Sequence, residues 1–399
     1  MIKSKAREPL KVLQIVEAAL TGVGRHALDL CESLAERGCS VHVIYSPLRI
    51  DKQFERRLTA IADKENVTTF SLDMERSIGL SDLVAANRIR KYLREHGPFD
   101  IVHGHSSKGG ALARLSSFGT GVPVYYTPNA VRTMNPLVSP RSRAVIAQIE
   151  RALSWMTSRI IAVSPEERDH LQEIGINTRK ISIVPNGIVP QELPSRREAR
   201  EVLGLDQDAP IVGFVGRFSD QKGLDVLVKS IPEILDEIPN CQFAMIGHGE
   251  NEQELKDLAD HLEVSHCLHW LGQQKGFESM PAFDLFALPS RYEGLPYVLI
   301  ETLMAGCPVV TTDLASSSML VENGVNGVVV RAESPGEFAD GVCRILADDS
   351  TRASMAKASV ENSKFFTLDA MTSSTMELYL KSVGAEDRGH SASLSDAAS

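Results

Sequence analysis

Two glutamates separated by seven residues lie in the segment from Leu288 to Gly306. Pro296 suits the first turn of a helix, which would put Glu293 in the preceding loop and Glu301 within the helix. Eight residues at helical rise separate the two carboxylates by at most ~12 Å. Two carboxylates at this spacing are suited to accept hydrogen bonds from hydroxyl groups at the two ends of one ligand, such as the hexose and the ribose of a nucleotide sugar. Because the helix is otherwise apolar, Glu301 would be costly to bury without such a purpose.

Two cations lie at a second strand-to-helix junction. Arg217 follows an apolar run that predicts a strand, and Lys222 starts the next helical pattern. Arg provides a fork of donors and Lys a compact charge, which together suit a diphosphate. These cations would stabilise a departing nucleoside diphosphate more strongly as its negative charge grows. The amides of Tyr297 and Val298, at the start of the helix that contains the second glutamate, suit the same phosphates.

A glycine pair follows the first predicted strand. Gly22 and Gly24 lead into a helix that is predicted to begin at Arg25. Glycines at this position would let the backbone approach a phosphate at the helix N-terminus. The third glycine of a G-x-G-x-x-G motif is replaced by Ala27, so a tight turn that requires positive φ is the alternative interpretation.

Short β-branched runs alternate with helical segments along the chain. The predicted strands read KVLQIVEA, SVHVIYS, DIVHGHS, VPVYYTP, RIIAVSPE and ISIVPNG, and later IVGFVGRF, QFAMIGHG, LHWLG, LFALPS, PVVTTD and GVVV. Strands that are apolar throughout are typical of parallel sheets covered by helices on both faces. The alternation stops in a polar stretch at 185–210 and then restarts. We therefore predict two doubly wound domains with a boundary near 190–205, and each motif above lies at a strand end, where such sheets bind ligands.

Length and composition agree with this organisation. The 399 residues exceed what one hydrophobic core usually supports, and 43% hydrophobic and 24% charged residues are typical of a globular protein. Gln14 and Glu17 interrupt the first apolar stretch, which favours a buried strand over a signal peptide. No apolar run has the length of a membrane span. Six cysteines without a C-x-x-C pair indicate thiols in a reducing, cytoplasmic compartment.

The net charge of −10 is divided unevenly along the chain. Residues 1–188 carry 26 Lys and Arg against 19 Asp and Glu, a charge of +7, and the remainder carries 16 against 33, a charge of −17. The basic half is expected to face an anionic partner, with chance variation between two solvated surfaces as the alternative. The acidic total and the lack of an aromatic–basic stripe argue against nucleic-acid binding.

The motifs together resemble glycosyltransferase family 4, a family with the GT-B fold, over nearly the whole chain. The matching pieces are Gly22 with Gly24, the run Asp100-Ile-Val-His-Gly-His105, Ala162-Val-Ser-Pro-Glu166, Val184-Pro-Asn-Gly187, Gly216-Arg217 with Lys222-Gly223, and the pair Glu293 and Glu301. The resemblance implies an α/β GT-B architecture of two Rossmann-like doubly wound domains facing a central cleft. We expect an acceptor-side domain at 1–195, a nucleotide-sugar-binding domain at 196–366, a helix at 367–383 that returns to the first domain, and a disordered tail at 384–399.

The resemblance also implies a retaining sugar transfer without an enzyme nucleophile, and it assigns the roles of the site residues. Arg217, Lys222 and Glu293 would be catalytic, the two cations binding the donor diphosphate and the glutamate binding the donor sugar. Glu301 would bind the ribose. The donor site implied by the resemblance comprises Gly22, Gly24, Arg217, Lys222, Glu293, Gly294, Leu295, Tyr297, Val298 and Glu301. No cofactor and no metal is expected, and the donor is a nucleotide-diphosphate sugar, with UDP favoured over GDP.

Three positions depart from the family pattern. Asn129 occupies a position where the family usually has a donor-sugar-lining His, and because Asn is not an acid near neutral pH, a sugar-positioning role is expected, as it is for His105. Pro296 replaces a common Gly and removes one N–H from the donor loop. The run at 315–319 replaces a frequent Gly-Gly-x-x-Glu stretch, so the family's donor preference does not transfer.

The acceptor implied by relatives with a basic N-terminal domain is a glycan, often lipid-linked, at the cytoplasmic face of a membrane, which points to surface or exopolysaccharide biosynthesis. The segment from Arg141 to Arg159 is a candidate for peripheral contact with anionic lipid, with an ordinary amphipathic helix packed on its own sheet as the alternative. Other hypotheses for the function are a nucleotide-sugar epimerase of GT-B type and an inactive nucleotide-sugar-binding scaffold.

Two other signals are interpreted structurally. Asp206 and Asp208 match a D-x-D metal signature but lie in the polar stretch before a strand, so they predict a solvated turn. His103 and His105 occupy one predicted strand, and we expect them to point to opposite faces, with His105 in the cleft and His103 in the core.

Overall fold

A computed structural model describes residues 9–76, 79–314 and 318–395, without the side chains of Thr21 and of residues 385–395. The chain forms two compact units, unit 1 from residues 1–186 and 368–399 and unit 2 from residues 187–367. The segment at 315–317, which belongs to the third departure from the family pattern, lies outside the described residues.

The described strands and helices alternate along the chain as the sequence predicts. The strands are β1 Lys11–Val16, β2 Ser40–Tyr45, β3 Val67–Ser71, β4 Ile101–His105, β5 Val124–Thr127, β6 Arg159–Ala162, β7 Ile181–Ile183, β8 Ile211–Val215, β9 Gln242–Ile246, β10 Leu268–Gly272, β11 Leu285–Leu288, β12 Val309–Thr312 and β13 Gly327–Val330. The helices are α1 Thr21–Glu36, α2 Lys52–Ala62, α3 Leu80–His96, α4 Ser106–Ser117, α5 Pro140–Leu153, α6 Pro165–Glu173, α7 Arg196–Leu203, α8 Leu224–Glu237, α9 Glu252–His261, α10 Gly276–Ser279, α11 Tyr297–Met304, α12 Pro335–Leu346, α13 Asp349–Ser363 and α14 Leu368–Ser395.

Unit 1 contains a parallel sheet of seven strands in the order β3-β2-β1-β4-β5-β6-β7. The strand order reverses direction between β1 and β4, so the loops that follow these two strands diverge and leave a crevice at the carboxyl edge of the sheet. The central strands are fully buried, with β1 paired to β4 from Val12 opposite Ile101 to Val16 opposite His105. Because both faces are covered, even the polar side chains Gln14, His103 and His105 of these strands are buried.

The final helix, α14, completes unit 1. The hydroxyl of Tyr125 donates to the carbonyl oxygen of Leu378 at 2.6 Å, and Arg37 pairs with Asp369 at 2.5 Å. Tyr379 is fully buried against the sheet. The helix runs to Ser395, whereas the sequence predicts a disordered tail from residue 384.

Unit 2 contains a parallel sheet of six strands in the order β10-β9-β8-β11-β12-β13. This is the Rossmann order 3-2-1-4-5-6, and its reversal point lies between β8 and β11. The loop after β8 contains Arg217 and Lys222, and the loop after β11 contains Glu293. The strand order therefore places these two loops on either side of the crevice in which Rossmann sheets bind nucleotides.

Several sequence-based expectations differ from the structure. Helix α1 begins at Thr21, so Gly22 and Gly24 lie in its first turn and not in a loop before Arg25. Pro296 flanks α11 as its N-cap, and the helix begins at Tyr297. The rings of His103 and His105 are 4.4 Å apart on the same face of β4, because side chains two residues apart on a strand point the same way.

None of the helices within residues 9–76, 79–314 and 318–395 has the length and apolarity that crossing a bilayer demands. The six cysteines, which are Cys31, Cys39, Cys241, Cys267, Cys307 and Cys343, are all buried free thiols.

Candidate functional site

A glycine brings the loops after β8 and β11 of unit 2 together. Gly223 has a left-handed φ of 63°, and a Cβ atom added to it would lie 2.1 Å from the carbonyl oxygen of Pro289. A side chain at this position would therefore clash with the backbone at the end of β11. The contact continues along the two loops, since the amide of Arg291 donates to the carbonyl oxygen of Gln221 at 2.7 Å. The close approach lets residues on the two loops share one site.

The centre of this site is an ion pair between Lys222 and Glu293. The Lys222 Nζ atom lies 2.6 Å from Glu293 Oε1, and the two side chains are 15% and 7% exposed. Ser290 Oγ donates to the same carboxylate oxygen at 2.8 Å, and Gln221 Nε2 donates to the other at 3.3 Å. The catalytic lysine and glutamate expected from the sequence are thus in direct contact, and three donors fix the orientation of the carboxylate.

Arg217 lies in the same loop after β8 as Lys222 and is more exposed. Its guanidinium pairs with Glu250 at 2.9 Å, and both side chains are more than half exposed. The backbone around it is held by the loop after β9, because the amide of Phe218 donates to the carbonyl oxygen of His248 at 2.9 Å. An exposed pair of this kind is weak. The guanidinium can therefore exchange its carboxylate partner for an anionic ligand at small energetic cost.

Glycines in the loop after β9 permit this packing. Gly247 has a φ of 134°, and a Cβ atom on it would lie 1.8 Å from the carbonyl oxygen of Gly216. A Cβ atom on Gly249 would lie 2.0 Å from the carbonyl oxygen of Phe218. The backbone of this loop is thus pressed against the segment that contains Arg217, at the carboxyl ends of the neighbouring strands β8 and β9.

The remaining predicted donor residues of unit 2 lie just before α11 and in its first two turns. Gly294, Leu295 and Tyr297 are buried, and Val298 is half-buried in the first turn. Glu301 lies in the second turn and is 8% exposed. The N-terminus of α11 follows directly on the Glu293 loop, so its amides and its positive dipole end are next to the ion pair in sequence.

Arg291 ties the Glu293 loop to the loop after β8, to the start of α8 and to the segment after β13. Its guanidinium contacts Asp225 at 2.9 Å, donates to the carboxylate of Glu333, and donates to the carbonyl oxygen of Asp220 at 2.8 Å. Neighbouring carboxylates hold the pKa of Arg291 above its usual range despite partial burial. The anchor limits the freedom of the loop that carries Glu293. Sequence analysis missed Gln221, Ser290 and Arg291, although all three lie within three residues of a predicted site residue.

Gly22, Gly24, His105 and Asn129 belong to unit 1 and lie at the carboxyl edge of its sheet. A Cβ atom on Gly24 would lie 2.8 Å from the backbone of Ala19, so this glycine serves close packing of α1.

His105 is fully buried at the end of β4. Its Nε2 atom is 2.7 Å from Gln14 Oε1, and burial, with the neighbouring His103 and His26, holds its pKa well below the usual range. It is therefore neutral near pH 7 and suited to hydrogen bonding.

Two family models match the chain in succession. "Glycosyltransferase Family 4" matches residues 20–192, and "Glycosyl transferases group 1" matches residues 195–361. The chain belongs to glycosyltransferase family 4. The family places the enzyme among glycosyltransferases, and the two Rossmann-like sheets are those of the GT-B fold.

Curated relatives include two bacterial enzymes. A D-inositol 3-phosphate glycosyltransferase of Corynebacterium jeikeium is 27% identical over 75% of this chain and 77% of its own length. A UDP-Gal:alpha-D-GlcNAc-diphosphoundecaprenol alpha-1,3-galactosyltransferase of Escherichia coli is 26% identical over 82% of this chain and 86% of its own length. Among solved structures, HepE of Anabaena in complex with UDP-glucose has a TM-score of 0.79 at 19% identity, covering 92% of this chain and 99% of HepE.

The D-x-D signature of this glycosyltransferase forms a turn. Asp206 Oδ1 accepts hydrogen bonds from the amides of Asp208 and Ala209 at 2.7 and 3.0 Å. In the described ranges, no three His, Cys, Asp or Glu side chains are grouped as a metal site requires.

Proposed function

We propose that the protein is a retaining, metal-independent hexosyltransferase that transfers a sugar from a UDP-sugar to a glycan acceptor. The observation that supports the donor half of this proposal is the Lys222–Glu293 pair, 2.6 Å apart at the reversal point of the unit 2 sheet. A cation and an oriented carboxylate beside a helix N-terminus match the two chemistries of a nucleotide sugar, which are an anionic diphosphate and a hydroxyl-rich sugar.

Each donor-site residue has a role in this proposal. Lys222 and Arg217 bind the diphosphate, and the amides at the start of α11 contact the same phosphates. Glu293 accepts hydrogen bonds from hydroxyl groups of the transferred sugar, and Glu301 accepts them from the ribose. The three donors on Glu293 keep its lone pairs in fixed directions, which favours a positioning role over attack on the sugar.

The transfer exchanges one bond at the anomeric carbon for another. The bond from C1 to the phosphate oxygen breaks, and the acceptor hydroxyl forms a new C1–O bond on the same face of the sugar. The acceptor proton passes to the departing phosphate oxygen. Lys222 and Arg217 stabilise the charge that develops on this oxygen, so they contribute more in the transition state than in the ground state.

The choice of UDP is supported by the relatives. HepE was solved with UDP-glucose, and the E. coli relative is named for a UDP-galactose donor. The same E. coli enzyme is named for an acceptor linked to diphosphoundecaprenol. We therefore propose a lipid-linked saccharide as acceptor, and surface or exopolysaccharide biosynthesis at the cytoplasmic face of a membrane as the setting.

Helix α5 of unit 1 supports peripheral contact with that membrane. The alternative interpretation, an amphipathic helix packed on its own sheet, accounts for only part of α5, since its buried residues are Glu150 and Leu153. Val145 and Ile149 are 60% and 40% exposed, and Trp155, just after the helix, is 85% exposed. Exposed Arg side chains flank these apolar groups, a combination typical of helices that lie on anionic lipid.

Flotation with vesicles tests the membrane contact. We expect the protein to float with vesicles that contain phosphatidylglycerol, and the double variant Arg141→Glu/Arg151→Glu to remain in the dense fraction. The double variant Arg344→Glu/Lys357→Glu, which reverses two exposed charges of unit 2, serves as the matched control. Equal flotation of all three proteins would contradict the proposed surface.

A donor and acceptor screen tests the reaction. The protein is incubated with UDP-glucose, UDP-galactose, UDP-N-acetylglucosamine or GDP-mannose and a diphosphoundecaprenol-linked saccharide, with and without EDTA. Proton NMR then gives the anomeric configuration of the product. We expect a product with the donor's α configuration and a rate that EDTA does not change. A product with inverted anomeric configuration, or a requirement for a metal ion, would refute the mechanism. Release of an epimerised nucleotide sugar without acceptor would indicate an epimerase. Binding of the nucleotide sugar without turnover would indicate a scaffold.

A further inference from the structure

The loop after β5 in unit 1 has two successive residues in the left-handed conformation. The φ angles are 54° at Asn129 and 77° at Ala130. Asn tolerates this region better than most residues, because its short polar side chain can bond locally, but a Cβ-bearing Ala does not favour it. A contact from outside the loop must therefore hold Ala130 in place.

The carboxylate of Glu167 provides this contact. Its Oε1 atom accepts hydrogen bonds from the amides of Ala130 at 2.7 Å and Val131 at 3.1 Å. Its Oε2 atom accepts one from the amide of Val163 at 2.9 Å. The residue is fully buried, and Ser164 caps the same helix by accepting from the Glu167 amide at 3.2 Å.

The arrangement departs from an ordinary capping box. Ser164 and Glu167 have the S-x-x-E spacing in which the glutamate normally accepts from the amide of the capping residue itself. Here the carboxylate is shared between the start of α6 and the loop after β5, 36 and 37 residues earlier in the chain. A glutamate that only capped its helix would not need to be buried, and burial raises the pKa of Glu167 to about 7 against the effect of three N–H donors. The Glu167 carboxylate is thus buried where its charged form is disfavoured, and it is hydrogen-bonded to this loop.

The loop presents a polar atom without a protein partner. Asn129 Nδ2 is enclosed and has no hydrogen-bond partner among the described residues, and the same is true of His105 Nδ1 and Ser106 Oγ at the end of β4. Strands β4 and β5 are paired with His105 opposite Thr127, so the three atoms lie at one edge of the unit 1 sheet. Enclosed polar atoms require partners, and a bound hydroxyl-rich molecule would supply them.

We propose that Glu167 is a positioning residue for sugar transfer, holding the left-handed loop in the conformation that presents the Asn129 carboxamide to an oxygen of the bound sugar. The inference rests on the proposed function of this site. Asn129 donates from Nδ2 to the sugar oxygen, and Glu167 acts on the reaction only through the backbone of residues 130 and 131.

The first test compares Glu167→Gln with wild type, using the UDP-sugar that the donor screen identifies. A Gln side chain keeps one acceptor oxygen but places an NH2 group against an amide N–H, so it cannot bind both segments. We expect kcat to fall on the order of 100-fold, as for a misplaced contact at a reacting centre, with the Kd for UDP within about 2-fold of wild type. Glu173→Gln, on the same helix with a 75% exposed side chain, is the matched control and should retain full activity.

The second test asks whether Glu167 acts through the loop. Glycine adopts the left-handed conformation without strain, so adding Ala130→Gly to Glu167→Gln should recover kcat by about 5-fold or more. Asn129→Ala should lower kcat in wild type and have little further effect in Glu167→Gln, because the carboxamide is already misplaced there. The proposal would be overturned if Asn129→Ala and Glu167→Gln lowered kcat independently of each other and Ala130→Gly did not rescue kcat.

The remaining outcomes are also decisive. If Glu167→Gln does not fold, Glu167→Asp keeps the charge but withdraws the carboxylate by one methylene, and the same loss of kcat at unchanged UDP affinity is expected. Wild-type kcat in the Glu167 variants overturns this inference and leaves the proposed function intact. A wild-type protein that binds UDP but transfers no sugar refutes the proposed function and this inference with it.

Discussion

Replacing Lys222 with alanine tests two effects that we expect of the Lys222–Glu293 pair, which are a contribution to donor binding and a contribution to the stability of unit 2. A charge-assisted hydrogen bond contributes about 1.5–3 kcal/mol. If the Nζ atom contributes this amount to the departing diphosphate, kcat/KM should fall about 10- to 150-fold. The assay is steady-state turnover of the UDP-sugar that the donor screen identifies.

The stability cost follows from what Glu293 loses. Breaking a buried ion pair costs about 3–5 kcal/mol when one charge remains unpaired. Here Glu293 keeps the donors on Ser290 and Gln221, and the lysine is 15% exposed, so we expect a smaller loss of about 1–3 kcal/mol in urea unfolding. The variant Lys222→Ala/Glu293→Gln removes the uncompensated charge and should regain part of this loss without regaining activity.

Lys229→Ala is the matched control, because it shows whether the loss of a lysine charge elsewhere in unit 2 also lowers turnover. Lys229 lies on α8, is 48% exposed and pairs with Asp225 at 3.0 Å. Lys229→Ala should change kcat/KM by less than about 2-fold, since exposed pairs contribute little. Near-native turnover in Lys222→Ala, or an equal loss in Lys229→Ala, would refute the assignment of Lys222 to the diphosphate.

Three further predictions concern the backbone and the buried groups. Gly223→Ala should abolish detectable UDP binding in calorimetry, because its Cβ atom would lie 2.1 Å from the carbonyl oxygen of Pro289. The matched control is Gly204→Ala, since Gly204 also has a left-handed φ but has no atom within 4 Å of an added Cβ. Gly204→Ala should cost only about 1 kcal/mol of stability and leave UDP binding unchanged. Burial raises the folded-state pKa of Glu167 from 4.5 to about 7, so its contribution to stability is greatest below pH 4.5 and is lost as the pH rises through 7. When the pH is lowered from about 8 to 4.5, the free energy of unfolding of wild type in urea should rise by about 3 kcal/mol relative to that of Glu167→Gln. A difference that does not change with pH would contradict the burial of an ionisable group. Tyr379→Phe removes the hydroxyl that lies 2.6 Å from His103 Nδ1, and should cost about 1–3 kcal/mol in thermal unfolding, with no loss indicating that the α14 contact contributes nothing.

Apolar runs were sufficient to predict most of the fold. All six strands of unit 2 coincide with apolar runs, because a strand covered on both faces must be apolar throughout. The strand β3 was missed because its sequence is not a continuous apolar run. It lies at the edge of its sheet, only Val67 is buried, and two threonines and a serine weaken the apolar signal. The GT-B fold itself was confirmed by the two parallel sheets and the solved relatives.

The site residues that could be predicted are those that lie close together in the sequence or at the end of a predicted strand. The spacing of Glu293 and Glu301 and the position of Lys222 at a strand end are visible without a structure, and the structure shows that Lys222 contacts Glu293. The contact of Glu167 with the loop after β5 could not be predicted, because it joins residues far apart in the chain through backbone amides, which have no sequence signature. The interpretation of His103 and His105 as facing opposite ways was wrong, since alternation on a strand separates neighbours and brings residues two apart together.

Calorimetric titration of the protein with UDP tests the central claim most directly. We predict binding at one site per chain, unchanged by EDTA, and weakened at least about 10-fold in both Lys222→Ala and Glu301→Ala, since each removes a charge-assisted contact. Absence of binding, binding that requires a divalent cation, or wild-type affinity in both variants would contradict a metal-independent nucleotide-sugar site at the reversal point of the unit 2 sheet.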